Sequence, residues 1–147
     1  MTDVSATAHG SIVEPLIELA RCSKLHRFIV AGPNSAELTI GLHRRGYSRV
    51  ATTAICGLPQ GQYDVGLVDW QGHSIKSLET TLDWLVHFLA PSAVLVISID
   101  APERSASRKL GSMLERLGFG VEVGTRCGHC FAIAARRRDA VQMAIAA

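Results

Sequence analysis

The spacing of apolar positions along the chain predicts strands that alternate with helices. Short continuous apolar runs, bounded by glycine, proline or charge, indicate buried strands at 28–31, 63–69 and 93–100. Apolar residues three or four positions apart indicate the helices between them. These predicted helices cover about 12–25, 34–46, a long segment from Leu78 to Leu89 that Pro91 ends, and the segment from Leu110 to Leu117. Asn34 followed by Glu37 is typical of a capping box at the start of the second helix.

The end of the chain has a different pattern. The runs GVEVGTR and CFAIAARR, separated by the turn between Cys127 and Cys130, predict an antiparallel hairpin. A β-rich run from Ser48 to Cys56 predicts one more strand. Together the pattern predicts an α/β fold: a mostly parallel, Rossmann-like sheet of about six strands with helices on both faces and a C-terminal hairpin. We expect one domain over 1–147, with its core at about 26–138.

Composition narrows the class of protein. With 147 residues, 48% hydrophobic and 19% charged, the chain suits one folded domain. The net charge is +2, and the basic run Arg136, Arg137 and Arg138 is too local for a nucleic-acid footprint. No apolar stretch approaches the roughly 20 residues of a membrane span, and no basic segment followed by an apolar one opens the chain. We therefore expect a cytoplasmic protein without nucleic-acid or membrane partners.

Cysteine usage favours free thiols. The four cysteines are scattered, and a domain of this size needs no disulfides. Cys127 and Cys130 form a C-x-x-C pair, but one such pair supplies only two of the four ligands of a structural zinc site. His129 becomes a third ligand only if the turn folds back.

The middle of the chain carries a family resemblance. The stretch YDVGLVDWQGHSIKSLETTLDWLVHFLAPSAVLVISID, followed by LERLGFGVEV, resembles the fourth and fifth strands and the final hairpin of class I S-adenosylmethionine-dependent methyltransferases. Asp69, His73 and Ser74 match an Asp followed by His-Ser in small-molecule methyltransferases of this class. The resemblance implies S-adenosylmethionine as cofactor, with Gly32, Pro33 and Asn34 under its methionine part and Asp69 and His73 at the reacting end. Trp70 would then stack on the adenine or a flat substrate. Its other interpretation is a tryptophan that packs the loop.

The cofactor motif departs from that family. The family places an acid and a Gly-x-Gly-x-Gly turn after its first strand, because glycines let the backbone approach the cofactor. Here the text is VAGPNSA: Gly32 keeps the first glycine, Asn34 and Ala36 replace the other two, and Val30 replaces the acid. The run from Ser48 to Cys56 contains no carboxylate to bind the ribose hydroxyls.

A deletion is also predicted. Only about eight residues, roughly from Cys56 to Tyr63, join two runs between which the family has a helix and its third strand. A parallel crossover usually needs a dozen or more residues, so that helix and strand are missing. The strand from Ser48 to Cys56 then lies at an edge guarded only by Arg49, and such edges invite strand addition. We expect a homodimer through it.

Two strand ends carry the remaining candidate chemistry. Asp69 and Asp100 should lie at the carboxyl edge of the sheet, where they could bind magnesium together with water and a substrate diol. His73 could act as a general base on a substrate hydroxyl. In the alternative interpretation, Asp69 orders the following loop, Asp100 starts the turn before Pro102, and His73 makes a loop hydrogen bond.

Two functions remain open at the level of sequence. The first is a reduced methyltransferase-like domain that has lost effective S-adenosylmethionine binding, requires no cofactor, and acts as a binding, regulatory or assembly module. The second is an active S-adenosylmethionine-dependent methyltransferase on a small hydroxylated molecule, with or without magnesium. A nicotinamide-dependent dehydrogenase is disfavoured because the G-x-G-x-x-G turn and its distal acid are absent.

Overall fold

A computed structural model describes residues 16–52, 60–70, 74–100, 104–127 and 130–138. The predicted start of the first helix lies outside these ranges. Among the described residues, no helix has the length and apolar character needed to cross a membrane. The elements are α1 (16–20), β1 (Phe28–Ala31), α2 (Ser35–Arg44), β2 (Val50–Thr52), β3 (Tyr63–Asp69), α3 (Ile75–Leu85), a 3-10 turn (Val86–Phe88), β4 (Leu89–Asp100), α4 (Arg104–Arg116), β5 (Phe119–Cys127) and β6 (Cys130–Arg137).

The strands form one six-stranded sheet in the order β2-β1-β3-β4-β6-β5. The first four strands in that order run parallel, and β6 lies antiparallel between β4 and β5. The β5–β6 hairpin closes where Cys127 pairs with Cys130. The predicted mostly parallel sheet with a C-terminal antiparallel hairpin is therefore confirmed.

Alternation along the strands separates two apolar layers. In β1, Phe28 and Val30 pack with α1 and α2 on one face, whereas Ile29 and Ala31 join α3 and α4 on the other. Successive side chains of a strand point to opposite faces, so both faces of this central strand are covered. All four of these side chains are completely buried, as expected for a strand at the centre of an α/β sheet. The prediction of helices on both faces is confirmed.

Two predicted helix ends are wrong. Helix α1 ends at residue 20 and not near 25, because Arg21 takes the left-handed conformation, with φ of 50°, that interrupts a helix. Helix α3 ends at Leu85 rather than at Leu89. Leu89 already starts β4, and its spacing of four residues from Leu85 imitates a helical period although both side chains enter the same core. Pro91 lies inside β4, where the pairing with β3 shifts register between Tyr63 and Val65, and such irregularities tolerate proline.

Strand β2 is short and lies at the edge of the sheet. It pairs in parallel with β1 over Val50, Ala51 and Thr52 and has no other partner in the described strand order. β3 begins at Tyr63, and the described residues between β2 and β3 form no strand. The predicted deletion of the family's helix and third strand falls largely on 53–59, which lie outside the described residues, and it stays a prediction.

Candidate functional site

The carboxyl ends of β1 and β3 form the natural ligand crevice of this sheet. From β1 the chain passes to β2 on one side, and β3 then lies on the other side of β1. Open α/β sheets bind ligands outside such a point of reversal. Gly32 and Asn34 follow β1 here, and Asp69 and Trp70 end β3, so four of the predicted site residues meet at this crevice.

The centre of the crevice is the Asp69 carboxylate, whose residue is 3% exposed. The side-chain amide of Asn34 donates to Oδ2 at 3.0 Å. The hydroxyl of Ser98, on β4, donates to Oδ1 at 3.0 Å. A buried carboxylate is tolerated only when it is hydrogen-bonded, and hydrogen bonds to charged groups contribute about 1.5–3 kcal/mol each. This Asn34–Asp69–Ser98 bridge ties together the ends of three strands.

Asn34 does not cap α2 as predicted. It precedes the helix, which begins at Ser35, but its side chain makes no capping hydrogen bond. The side-chain amide of Asn34 instead donates across the crevice to the buried Asp69 carboxylate, a charge-assisted hydrogen bond. The capping-box interpretation of this position is wrong, although the predicted start of the helix is correct.

Gly32 is required by the packing of the chain itself. Its φ of +108° lies in a region that L side chains rarely adopt. A Cβ at this position would lie 2.6 Å from the backbone oxygen of Asp69. The close approach of the β1 turn to the end of β3 therefore explains this glycine without any bound cofactor.

Trp70 is held on both sides by hydrogen bonds. Its backbone N–H donates to the carbonyl oxygen of Ser98 at 2.7 Å, and its indole Nε1–H donates to the carbonyl oxygen of Ser74 at 2.8 Å. The ring is buried in the layer beneath α3 and α4. Ser74 in turn caps α3 by accepting the N–H of Ser77 at 3.3 Å. These contacts describe a tryptophan that fixes the start of α3.

Three predicted site residues remain: Pro33, His73 and Asp100. Pro33 lies between Gly32 and Asn34 in the turn after β1. His73 lies outside the described residues. Asp100 is the last residue of β4, two positions after Ser98, which pairs with Asp69, but its side chain lies outside the description. Within the described ranges, no group of three or more His, Cys, Asp and Glu side chains could hold a metal ion. The magnesium site at Asp69 and Asp100 stays a prediction.

Ser98 was missed by the sequence reasoning. It is completely buried, and its hydroxyl completes the bridge to Asp69. The available signal was Ser98 itself, the one polar residue of AVLVISID besides the terminal Asp100. Buried polar side chains need a partner, so such a serine marks a polar contact in the core.

The residues present do not fit the ribose of S-adenosylmethionine. Val30, at the position of the family's acid, is completely buried and packs in the layer under α1 and α2. β2 ends at Thr52, and the run from Ser48 to Cys56 contains no carboxylate. The two charged anchors that the resemblance would require are both missing.

Comparison with known proteins identifies solved structures that share this fold. No protein-family model matches the sequence, and no curated protein sequence matches it significantly. Among solved structures, 1,6-didemethyltoxoflavin-N1-methyltransferase from Burkholderia thailandensis, with bound 1,6-didemethyltoxoflavin and S-adenosylhomocysteine, is 14% identical with a TM-score of 0.63. That match covers 90% of this chain and 79% of the other. Magnesium protoporphyrin IX methyltransferase from Synechocystis PCC 6803, with bound SAM, is 13% identical with a TM-score of 0.59, over 89% and 80%. The chain has the class I methyltransferase fold.

The methyltransferase fold by itself does not fix the reaction. The [4+2]-cyclase SpnF is 11% identical to this chain with a TM-score of 0.63, and the match covers 88% of this chain and 82% of SpnF. A protein named for a cyclisation thus shares the fold with proteins named for methyl transfer. Function has to be argued from the crevice and its residues.

Proposed function

We propose that this chain is a methyltransferase-fold domain that has lost effective S-adenosylmethionine binding and acts as a binding or assembly module. The observation that carries the proposal is the hydrogen bond from Asn34 to Asp69, which spans the crevice where the resemblance places the methionine part of the cofactor. The side chains that would face that ligand are already engaged with each other.

The replacement of the family motif's second glycine by Asn34 supports the proposal. A glycine there lets a ligand approach the backbone, whereas Asn34 adds a side chain that reaches across to Asp69. A ligand seated between them would have to displace the amide from a buried carboxylate. It would lose a charge-assisted hydrogen bond and would have to replace it.

The nucleoside end lacks its anchors as well. Ribose hydroxyls are held by carboxylates at the tips of the first two strands in the family. Val30 and the acid-free run from Ser48 to Cys56 stand at those places. Main-chain groups can replace one such contact, but they do not replace a set of charge-assisted ones. Favourable contacts are therefore reduced at both the methionine end and the nucleoside end of the cofactor.

Isothermal titration with S-adenosylmethionine and S-adenosylhomocysteine, with and without magnesium, tests the proposal. We expect no binding tighter than about 100 μM, which corresponds to roughly 5.5 kcal/mol. Asn34→Gly is the companion variant, because it removes the bridge and leaves the missing ribose anchors unchanged. We expect this variant, like the natural chain, to show no binding tighter than that limit. Binding tighter than that limit by the natural chain would overturn the proposal, and binding by Asn34→Gly alone would show that the ribose anchors are dispensable.

Assembly is the activity that the edge strand supports. Val50, Ala51 and Thr52 of β2 are half-buried and leave one strand edge without a partner in the described sheet. Unprotected edges invite strand addition by another chain, and the exposed Arg49 is the charge next to this strand. We propose a homodimer through β2. Light scattering at micromolar concentration should give a dimeric mass, and a monomeric mass would contradict it.

A second candidate function rests on Asp69. This acid stands at the tip of β3 beside the crevice, and structures with the same fold have been solved with S-adenosylhomocysteine and SAM bound. In this alternative the chain methylates a small hydroxylated molecule, with Asp69 and His73 at the reacting end. A magnesium ion held by Asp69 and Asp100 would share the Asp69 carboxylate with the hydrogen bonds from Asn34 and Ser98. Cofactor binding in the titration above would favour this function.

A further inference from the structure

A groove outside the crevice lies between α3 and α4. Ile75 and Met113 give it an apolar floor, and the hydroxyl-bearing residues Ser74 and Ser112 also line it. Its volume is about 680 Å³, within the range of small-molecule sites. No part of the Asn34–Asp69–Ser98 bridge lines this groove, so it is separate from the crevice at the ends of β1 and β3.

The walls of the groove carry an excess of positive charge. Lys76, Arg108, Lys109 and Arg116 line it together with a single acid, Glu79. Glu79 forms an ion pair with Arg116. Lys76, Arg108 and Lys109 are exposed, and no ion pair of theirs is found in the part of the chain that the structure describes. Three cations around an apolar floor are therefore left for a ligand.

The position of Lys76 opposes the dipole of α3. Both α3 and α4 lead out of parallel strands, so their N-termini lie at the same edge of the sheet. Neither helix has an acid in its first turn; Lys76 stands in the first turn of α3, and Arg108 and Lys109 stand in the second turn of α4. Cations near a helix N-terminus are unfavourable, and an anion there is favourable. Lys76 is therefore adverse for the isolated helix α3, and an anionic ligand beside it would relieve this effect.

We propose that this groove binds a small organic anion with an apolar body, such as a phosphate monoester or a carboxylate on an alkyl chain. Lys76, Arg108 and Lys109 hold the anionic head, and the alkyl body lies on Ile75 and Met113. The groove also reaches Ser74, whose carbonyl oxygen accepts the Trp70 indole N–H at 2.8 Å. Ser74 therefore lines the groove and also contacts Trp70, the residue that follows Asp69.

Titration of the full chain with octyl phosphate, followed by amide chemical shifts and by calorimetry, tests the proposal. Inorganic phosphate supplies the head alone, octanol supplies the body alone, and octanoate distinguishes carboxylate from phosphate. We expect octyl phosphate or octanoate to bind at least tenfold more tightly than phosphate or octanol, with shifts concentrated in α3 and α4. Equal binding of octanol, shifts concentrated elsewhere, or no binding at millimolar concentration would overturn the proposal.

A matched pair of variants separates a specific site from general charge attraction. Lys76→Gln with Lys109→Gln removes two cations from the groove and should weaken binding about tenfold or more. Lys24→Gln with Arg44→Gln removes the same charge from exposed positions outside it and should leave binding within about twofold. Equal weakening by both pairs would contradict a site in the groove. All four side chains are exposed, so circular dichroism should find both variants folded.

Discussion

The side-chain amide of Asn34 donates a 3.0 Å hydrogen bond to Oδ2 of Asp69, across 35 positions of sequence. The same carboxylate accepts the Ser98 hydroxyl through its other oxygen. These contacts join β1, β3 and β4 at the edge of the sheet where a ligand would enter. Hydrogen bonds among the chain's own side chains hold that edge together. Substitutions of these side chains should therefore lower the free energy of unfolding.

Exchanging the side chains of Asn34 and Asp69 should restore part of the stability that each single substitution removes. Asp69→Asn replaces a carboxylate oxygen by an amide nitrogen that cannot accept from Asn34, and Asn34→Asp sets two acids against each other. Each single variant should lower the free energy of unfolding by about 1–3 kcal/mol, because a buried polar contact is lost. In the double variant, the new amide at position 69 can donate to the new carboxylate at position 34, so the loss should be smaller than the sum of the single losses. Urea denaturation of all four proteins measures this coupling, and simple additivity would contradict a direct bond.

Gly32→Ala should destabilise the fold more than a glycine substitution with open space around it. The new Cβ would meet the Asp69 backbone oxygen at 2.6 Å, in addition to the strain of a φ of +108°. Gly61→Ala is the matched control: its φ is +70°, and nothing lies within 4 Å of the added Cβ. We expect about 1–2 kcal/mol for Gly61→Ala, from backbone strain alone, and a clearly larger loss for Gly32→Ala. Thermal and urea unfolding compare them, and equal losses would count against the close approach.

A charge on the edge strand should prevent dimer formation. Thr52→Lys places a cation on β2, and lysine on an edge strand blocks strand addition. Light scattering should then give a monomer where the natural chain gives a dimer. Thr125→Lys, at a half-buried position on the opposite edge strand β5, is the control and should remain dimeric. A dimer that survives Thr52→Lys and dissociates with Thr125→Lys would place the interface on β5.

Alkaline pH should weaken the fold through Cys22. Burial raises the pKa of the Cys22 thiol above its ordinary value of 9.0, and burial also raises the pKa of Tyr47 above 10.0. Well below pH 9 the thiol is protonated in both the folded and the unfolded chain, so it adds no pH dependence there. As the pH rises from 9 through the raised pKa, the unfolded chain releases its proton first, and stability falls. Urea denaturation between pH 8 and pH 10.5 should show a shallower fall for Cys22→Ala; parallel curves would exclude this thiol as a cause.

Local pattern was sufficient for most of the fold. Continuous apolar runs identified β1 and β3, and the two runs around the turn between Cys127 and Cys130 identified the closing hairpin. Local pattern was insufficient where the same spacing of apolar residues occurs both within a helix and between a helix and the following strand. Leu85 and Leu89 lie four residues apart as in a helix, yet only contact with the sheet core decides that the helix ends at Leu85 and that Leu89 begins a strand.

The sequence by itself determined the α/β class, the identity of the strands and the absence of acids where the family resemblance expects them, because these follow from residue type and short-range period. Only the tertiary structure decided what Asn34, Ser98 and Asp69 do, since their contacts join residues 29 and 35 positions apart. Sequence assigned Asn34 to a helix cap, its nearest backbone partner. Folding brings the buried Asp69 carboxylate within reach of the Asn34 amide, which donates a charge-assisted hydrogen bond to it.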